Sequence, residues 1–237
     1  MPEPVELRSR LALALDVDDQ VAAMRLAHEL RPWFAVAKVG LELYSAAGPD
    51  TVAALLDEGF GVFLDLKLHD IPTTVGRAAR VLGALGVSYL TAHASGGAVM
   101  LRAAVDGLAD GAAGAGLAPP GVLAVTILTS DGGAPPHVLG ARVATAVEAH
   151  CSGFVCAASD VAEAKQLAPN LLAVVPGIRP LGIPSHDQAR VATPADALAA
   201  GADLLVVGRA VTAAADPAGA AARLTAELAR GGARATR

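Results

Sequence analysis

Short apolar runs recur along this chain at intervals of roughly 20–35 residues, and alanine-rich stretches of helical character separate them. The runs that predict strands are 11–17 (LALALDV), 34–40 (FAVAKVG), 61–67 (GVFLDLK), 88–94 (SYLTAHA), 121–128 (GVLAVTIL), 153–158 (GFVCAA), 171–176 (LLAVVP) and 203–208 (DLLVVG). Helices are expected between them, at 18–30, 49–58, 72–85 and 97–110 among others. Pro72, Pro194 and Pro217 stand at expected helix starts, where a missing backbone N–H costs nothing. Strands that are apolar throughout are buried on both faces, so a parallel sheet covered by helices is expected. Eight strand–helix units in 237 residues suit a closed (β/α)8 barrel, read as one catalytic domain over 1–237. The competitor is a doubly wound open sheet, which usually carries a glycine-rich nucleotide turn after its first strand. Here that stretch reads "LALALDVDD" and contains no glycine. The glycine-rich 111–121 (GAAGAGLAPPG) reads as a loop before the fifth strand, and "GGARATR" as a frayed tail.

The polar residues are placed asymmetrically. In a barrel enzyme the chemistry sits at the carboxyl ends of the strands. Those ends carry Asp16, Lys38, then Asp65, Lys67 and Asp70, then His93 and Ser95, Thr129 and Ser130, Arg179, and finally Gly208 and Arg209. The amino ends are apolar or glycine. An active site at one mouth is the expectation.

Composition narrows the field. The chain is 54% hydrophobic and 17% charged, with a mean hydropathy of +0.49, which allows ample core. A net charge of −5 argues against a general nucleic-acid or membrane-surface binder, because phosphate backbones demand a basic face. "LALAL" is too short for a signal-peptide core or a membrane span, so a cytoplasmic location is expected. Cys151 and Cys156 form no CxxC pair and read as small buried residues. The histidines show no HExxH or other metal-ligand spacing; a metal site is not expected, and a hydrogen-bonded structural role is assigned to His93.

Of the eighteen basic residues only Lys38, Lys67 and Lys165 are lysines. Lys165, in "AEAKQLAP", reads as an ordinary helix-surface residue. Lys38 and Lys67 interrupt apolar strands, where burying a charge is expensive. An ammonium can deliver a proton, whereas a guanidinium stays protonated at any ordinary pH. Both positions therefore point to chemistry.

The strand-three stretch "FLDLKLHDIPTT" is the densest signal. Period two puts Asp65 and Lys67 on one face of the strand, with Asp70 just beyond it in a loop. An ammonium flanked by carboxylates is held charged, which suits an acid and not a Schiff-base nucleophile. The bland alternative is an ion-pair network that closes the barrel mouth. After strand eight, "VVGRAVT" offers backbone N–H groups and Arg209 where barrels bind phosphate, unless Gly208 is only a turn residue. The long proline- and glycine-rich stretch 176–194 reads either as a lid or as a tolerated surface insertion.

Taken in order, "LALDV", "KVGLELY", "FLDLKLHDIPTTV", "HASGG", "VTILTS", "VPGIRP", "DQARVATP" and "VVGRAVT" resemble the orotidine 5′-phosphate decarboxylases, from about residue 11 to residue 212. The strand-three pattern D-x-K-x-x-D-I-P-x-T is the most specific element. The resemblance implies cofactor-free decarboxylation of orotidine 5′-monophosphate to uridine 5′-monophosphate, the last step of de novo pyrimidine nucleotide synthesis. It implies Lys67 as the proton donor and Asp65 as its partner beside the departing carboxylate. It implies that Asp16 and Lys38 contact ribose hydroxyls, with Lys38 bridging the charged row, and that Thr129 lies near the pyrimidine. Arg179, Gln188, Gly208 and Arg209 would hold the phosphate, with Gln188 on the closing lid. Asp70 and Thr74 would reach into a neighbouring subunit's site, which implies a homodimer.

Two rivals stand beside this reading. A sugar-phosphate decarboxylase or synthase of the same barrel type would keep the D-x-K-x-x-D strand but require magnesium. A non-catalytic nucleotide-phosphate-binding barrel would be expected to have lost Lys67 or one of its acids, and all are present.

Overall fold

The computed structural model describes residues 4–131, 134–179 and 192–232. Eight strands run β1 Leu11–Leu15, β2 Val36–Gly40, β3 Gly61–Leu68, β4 Tyr89–His93, β5 Gly121–Val125, β6 Gly153–Val155, β7 Leu172–Val175 and β8 Leu204–Val207. Every pairing is parallel, and β8 returns to β1 to close the barrel. The helices are α1 Pro4–Ser9, α2 Gln20–Leu30, α3 Leu41–Ala47, α4 Pro49–Asp57, α5 Pro72–Gly83 and α6 Gly97–Gly114. They continue with α7 His137–Glu148, α8 Val161–Leu167, α9 Pro194–Ala199, α10 Arg209–Thr212 and α11 Pro217–Gly232. The expected (β/α)8 barrel is what forms. Pro72, Pro194 and Pro217 each open a helix, as their fixed φ and missing donor favour.

Side chains on the strands alternate between two cores, as the pleat requires. Leu11, Leu13 and Leu15 of β1 face the helices, while Ala12 and Ala14 face the lumen. The lumen is plugged by Val36, Phe63, Leu123, Val174, Leu204 and Val206, with Tyr89 packed edge-on against Phe63 at 6.2 Å. This apolar plug leaves the next inward positions toward the carboxyl end for polar groups.

Two expectations need correction. The stretch from 111 does not begin a loop: α6 continues to Gly114 and only then gives way. Its glycines are there for α5, since a Cβ on Gly111 would stand 1.9 Å from the Arg80 carbonyl oxygen and one on Gly107 2.2 Å from that of Gly76. Backbone lies against backbone along this helix pair. Most strands also stop short of their apolar runs, β5 at Val125 and not residue 128, where Ile127 and Leu128 line the cavity at the mouth and do not extend the strand. Gln188, residues 180–191 of the expected lid, and the tail from 233 onward lie outside the described residues.

Both cysteines are buried, and burial pushes the Cys151 thiol up to about 12 despite the nearby Arg102, so it is chemically inert. No helix among the described residues is long and apolar enough to cross a membrane.

Candidate active site

The carboxyl ends of β1, β2 and β3 bring four charges into a row. Lys38, 10% exposed in its side chain, donates to Asp16 Oδ1 at 2.7 Å and lies 3.8 Å from Asp65 Oδ2. Lys67 Nζ approaches the same Asp65 oxygen at 2.7 Å. Signs alternate along Asp16, Lys38, Asp65 and Lys67. The sequence suggested Lys67 between two carboxylates; the fold instead puts Lys38 between Asp16 and Asp65, and the Asp65 carboxylate between two ammoniums. Register explains it. Lys38 stands beside Phe63, and Gly40 beside Asp65. A Cβ on Gly40 would meet Asp16 Oδ1 and Lys38 Nζ at 3.1 Å each, so glycine there leaves room for the pair.

Asp70 takes no part in this row within the chain. Its Oδ1 accepts from the Ile71 N–H at 2.6 Å, and its side chain is exposed at the start of α5. Thr74, in the first turn of α5, is exposed as well. The strand-three expectation that Lys67 is flanked by both acids is therefore met by Asp65 alone among the described contacts. The loop after β3 carries Asp70 outward and away from the lumen.

The row forms one wall of a cavity of about 220 Å³. Thr129, Arg179, Gly208 and Arg209 line the far side, and Phe63, Ile127, Val155 and Val206 supply apolar floor and walls. Four basic side chains, Lys38, Lys67, Arg179 and Arg209, face two acidic ones, Asp16 and Asp65. The surplus is positive although the whole chain is negative. Gly208 links β8 to the short α10, and Arg209 is that helix's first residue. Arg179 is buried, and its backbone N–H donates to the Ala192 carbonyl at 3.0 Å.

His93 ends β4 with its ring 5.4 Å from that of His69. Burial first, then the neighbouring His69, Lys67 and Arg142, holds its imidazole below the usual range, against the opposing pull of Asp65. The ring is neutral at neutral pH.

One residue escaped the sequence reading. Thr91 of β4 is fully buried, accepts from the Lys67 N–H at 2.9 Å and donates to Asp65 Oδ1 at 3.0 Å. The available signal was its place two residues before His93, an inward position on the same strand. The apolar lining was missed likewise, because leucine, isoleucine and valine in a strand look the same whether they fill a core or a site.

A closed parallel barrel with a surplus-positive cavity at the carboxyl end of its strands is the layout of a barrel enzyme for a small anionic substrate. The sequence profile of the "Orotidine 5′-phosphate decarboxylase / HUMPS family" matches residues 9–224. The orotidine 5′-phosphate decarboxylase of Paramagnetospirillum magneticum is 45% identical over 227 residues, covering 91% of this chain and 97% of that protein. That of Anaeromyxobacter sp. strain K is 48% identical over 230 residues, covering 92% and 98%. The crystal structure of orotidine 5′-phosphate decarboxylase from Lactobacillus acidophilus superposes with a TM-score of 0.77 at 34% identity, covering 92% of this chain and 97% of that one. The chain belongs to the orotidine 5′-phosphate decarboxylase / HUMPS family.

Proposed function

We infer that the chain converts orotidine 5′-monophosphate to uridine 5′-monophosphate and carbon dioxide without a cofactor, with Lys67 as the proton donor. The carrying observation is Lys67 Nζ at the end of an alternating charge row, 2.7 Å from Asp65, in a surplus-positive cavity. The C6–carboxylate bond breaks and its electron pair stays on C6 in an sp² orbital orthogonal to the ring π-system. Resonance cannot spread that charge, so the barrier must be lowered by fixed charges already aimed at C6. An ammonium does this best. Lys67 then gives its proton to C6, completing the product, and is recharged from solvent. Asp65 holds that ammonium in place and lies beside the departing carboxylate.

The remaining residues bind. Arg179, Arg209 and the backbone at Gly208 hold the phosphate, with Gln188 contributing from the segment after Arg179. Asp16 and Lys38 take the ribose hydroxyls, and Thr129 meets the pyrimidine. Phosphate binding far from C6 supplies energy for positioning at C6. Absorbance loss on mixing purified protein with orotidine 5′-monophosphate in EDTA tests the reading. Full turnover in the chelator is expected; activity that appears only with added magnesium would instead select the sugar-phosphate rival. Among the described residues, no cluster of three or more His, Cys, Asp or Glu is placed to hold a metal. The surroundings are taken to be cytoplasmic.

The active unit is a homodimer in which Asp70 and Thr74 complete the partner's site. What supports this is their exposure beside Leu41, Ile71 and Val99, which are 57%, 65% and 73% exposed at three adjacent strand–helix junctions. Such apolar exposure at one rim suits a covered surface. Lys67→Ala and Asp70→Asn should each be nearly inactive alone. In a mixed dimer one site carries both lesions and the other neither, so random subunit exchange should restore about a quarter of wild-type turnover. Confirmed heterodimers with no recovered turnover would return Asp70 to its own chain.

A further inference from the structure

Lys67 sits in backbone geometry that its own strand does not supply. Between Leu64, paired with Leu90, and Leu68, paired with Ala92, β3 spends four steps where β4 spends two. Asp65, Leu66 and Lys67 therefore face a single residue, Thr91. The bulge puts Lys67 at φ 50°, a left-handed conformation that a non-glycine residue adopts only when its surroundings hold it there.

The Thr91 hydroxyl is the surrounding group that does so. It accepts from the Lys67 N–H at 2.9 Å, a donor the bulge has taken out of the strand ladder. It spends its own proton on Asp65 Oδ1 at 3.0 Å. That bond fixes the Asp65 carboxylate plane and leaves Oδ2 turned toward Lys67 Nζ at 2.7 Å and Lys38 Nζ at 3.8 Å. One buried oxygen thus ties the backbone of the proton donor to the side chain that orients its ammonium.

We propose that Thr91 is a positioning residue for the decarboxylation, acting through Asp65 and Lys67 without touching substrate. The proposal rests on Lys67 being the proton donor. Valine at 91 keeps the shape but offers neither bond, so the carboxylate is free to rotate and the bulge loses its acceptor. Because the phosphate and ribose contacts lie elsewhere, the loss belongs to the transition state and not to binding.

The test compares Thr91→Val, Thr91→Ser and Lys67→Ala in the full-length protein, each assayed for kcat, KM and competitive inhibition by uridine 5′-monophosphate. Thr91→Val should lose about 10–100-fold in kcat, the scale of a small misplacement of a reacting group, with KM and product affinity within about threefold of wild type. Thr91→Ser, which keeps the hydroxyl, should recover most of that loss. Thr91→Cys, which matches serine in shape but offers only a weakly bonding thiol, replaces Thr91→Val if the latter does not fold, and should fall at least tenfold below Thr91→Ser. Wild-type kcat in the hydroxyl-free variants beside an inactive Lys67→Ala would overturn the role of Thr91 alone. So would a serine variant as impaired as the valine one, or turnover and product affinity lost together. An active Lys67→Ala would instead overturn the reading beneath it.

Discussion

The two ends of the barrel use the same chemical parts to opposite ends. At the amino end, Lys165 of α8 pairs with Asp203 at 2.6 Å and donates to the Leu171 carbonyl at 2.8 Å. Asp203 in turn accepts from the Ala173 N–H at 2.8 Å, and Arg10 donates to the Ala202 carbonyl at 2.6 Å. Each charge there closes on backbone of the strand entries it joins. At the carboxyl end, Lys38 and Lys67 have carboxylates as their hydrogen-bonding partners, and both line an open cavity. A lysine capped by carbonyls is a fastener. A lysine held only by acids, facing open space, retains donors for something else.

That contrast is sharpest for turnover. Lys67→Ala should lower kcat by about 10³-fold or more while product binding stays measurable, since the proposed general acid and its fixed charge are removed together. Lys165→Ala should leave kcat within about twofold. It should instead lower stability by about 1–2 kcal/mol, seen as a melting temperature lower by about 2–8 °C. Equal turnover losses in the two variants would erase the distinction between the ends.

Within the carboxyl end, chemistry and binding should separate next. Arg209→Ala is expected to weaken binding of the phosphorylated substrate by about 2–5 kcal/mol if the proposed phosphate contact is buried and charge-assisted. Reaction of the bare nucleoside should change much less. A similar penalty on both substrates would make Arg209 structural and move the phosphate site away from β8.

The same contrast explains what the sequence disclosed. Barrel topology was legible because eight apolar runs alternate with helical stretches, and the mouth was legible because charge interrupts those runs at one end only. Lys38, Asp65 and Lys67 stood out for that reason. Lys165 did not: it looked like an ordinary helix-surface residue, and its ion pair joins residues thirty-eight positions apart that only the closed barrel brings together. Thr91 was hidden by the bulge, since a pairing that slips two residues leaves no mark in the pattern of β3. Gly111 was misread because glycine normally ends helices, whereas here, like Gly107 within the expected helix, it lets α5 touch α6.

The smallest expected effect lies in how each end responds to acid. Burial at the mouth has a cost that falls on His93, whose imidazole is pushed below its ordinary value of 6.5 first by that burial and then by His69, Lys67 and Arg142, with Asp65 opposing. As pH falls through 6.5 the unfolded chain takes up a proton at this position before the folded chain does. Stability is then lost with falling pH until the folded imidazole is also protonated, and above about 7 the group contributes no slope. In His93→Gln that contribution is absent. Melting temperatures measured from pH 7.5 down to 5.5 should therefore fall less steeply in His93→Gln than in wild type, while Lys165→Ala, altered at the opposite end, should keep the wild-type slope over this range. Parallel curves for wild type and His93→Gln would mean that neither burial nor the neighbouring cations disfavour protonation of this ring, and that the two ends differ in turnover but not in their tolerance of acid.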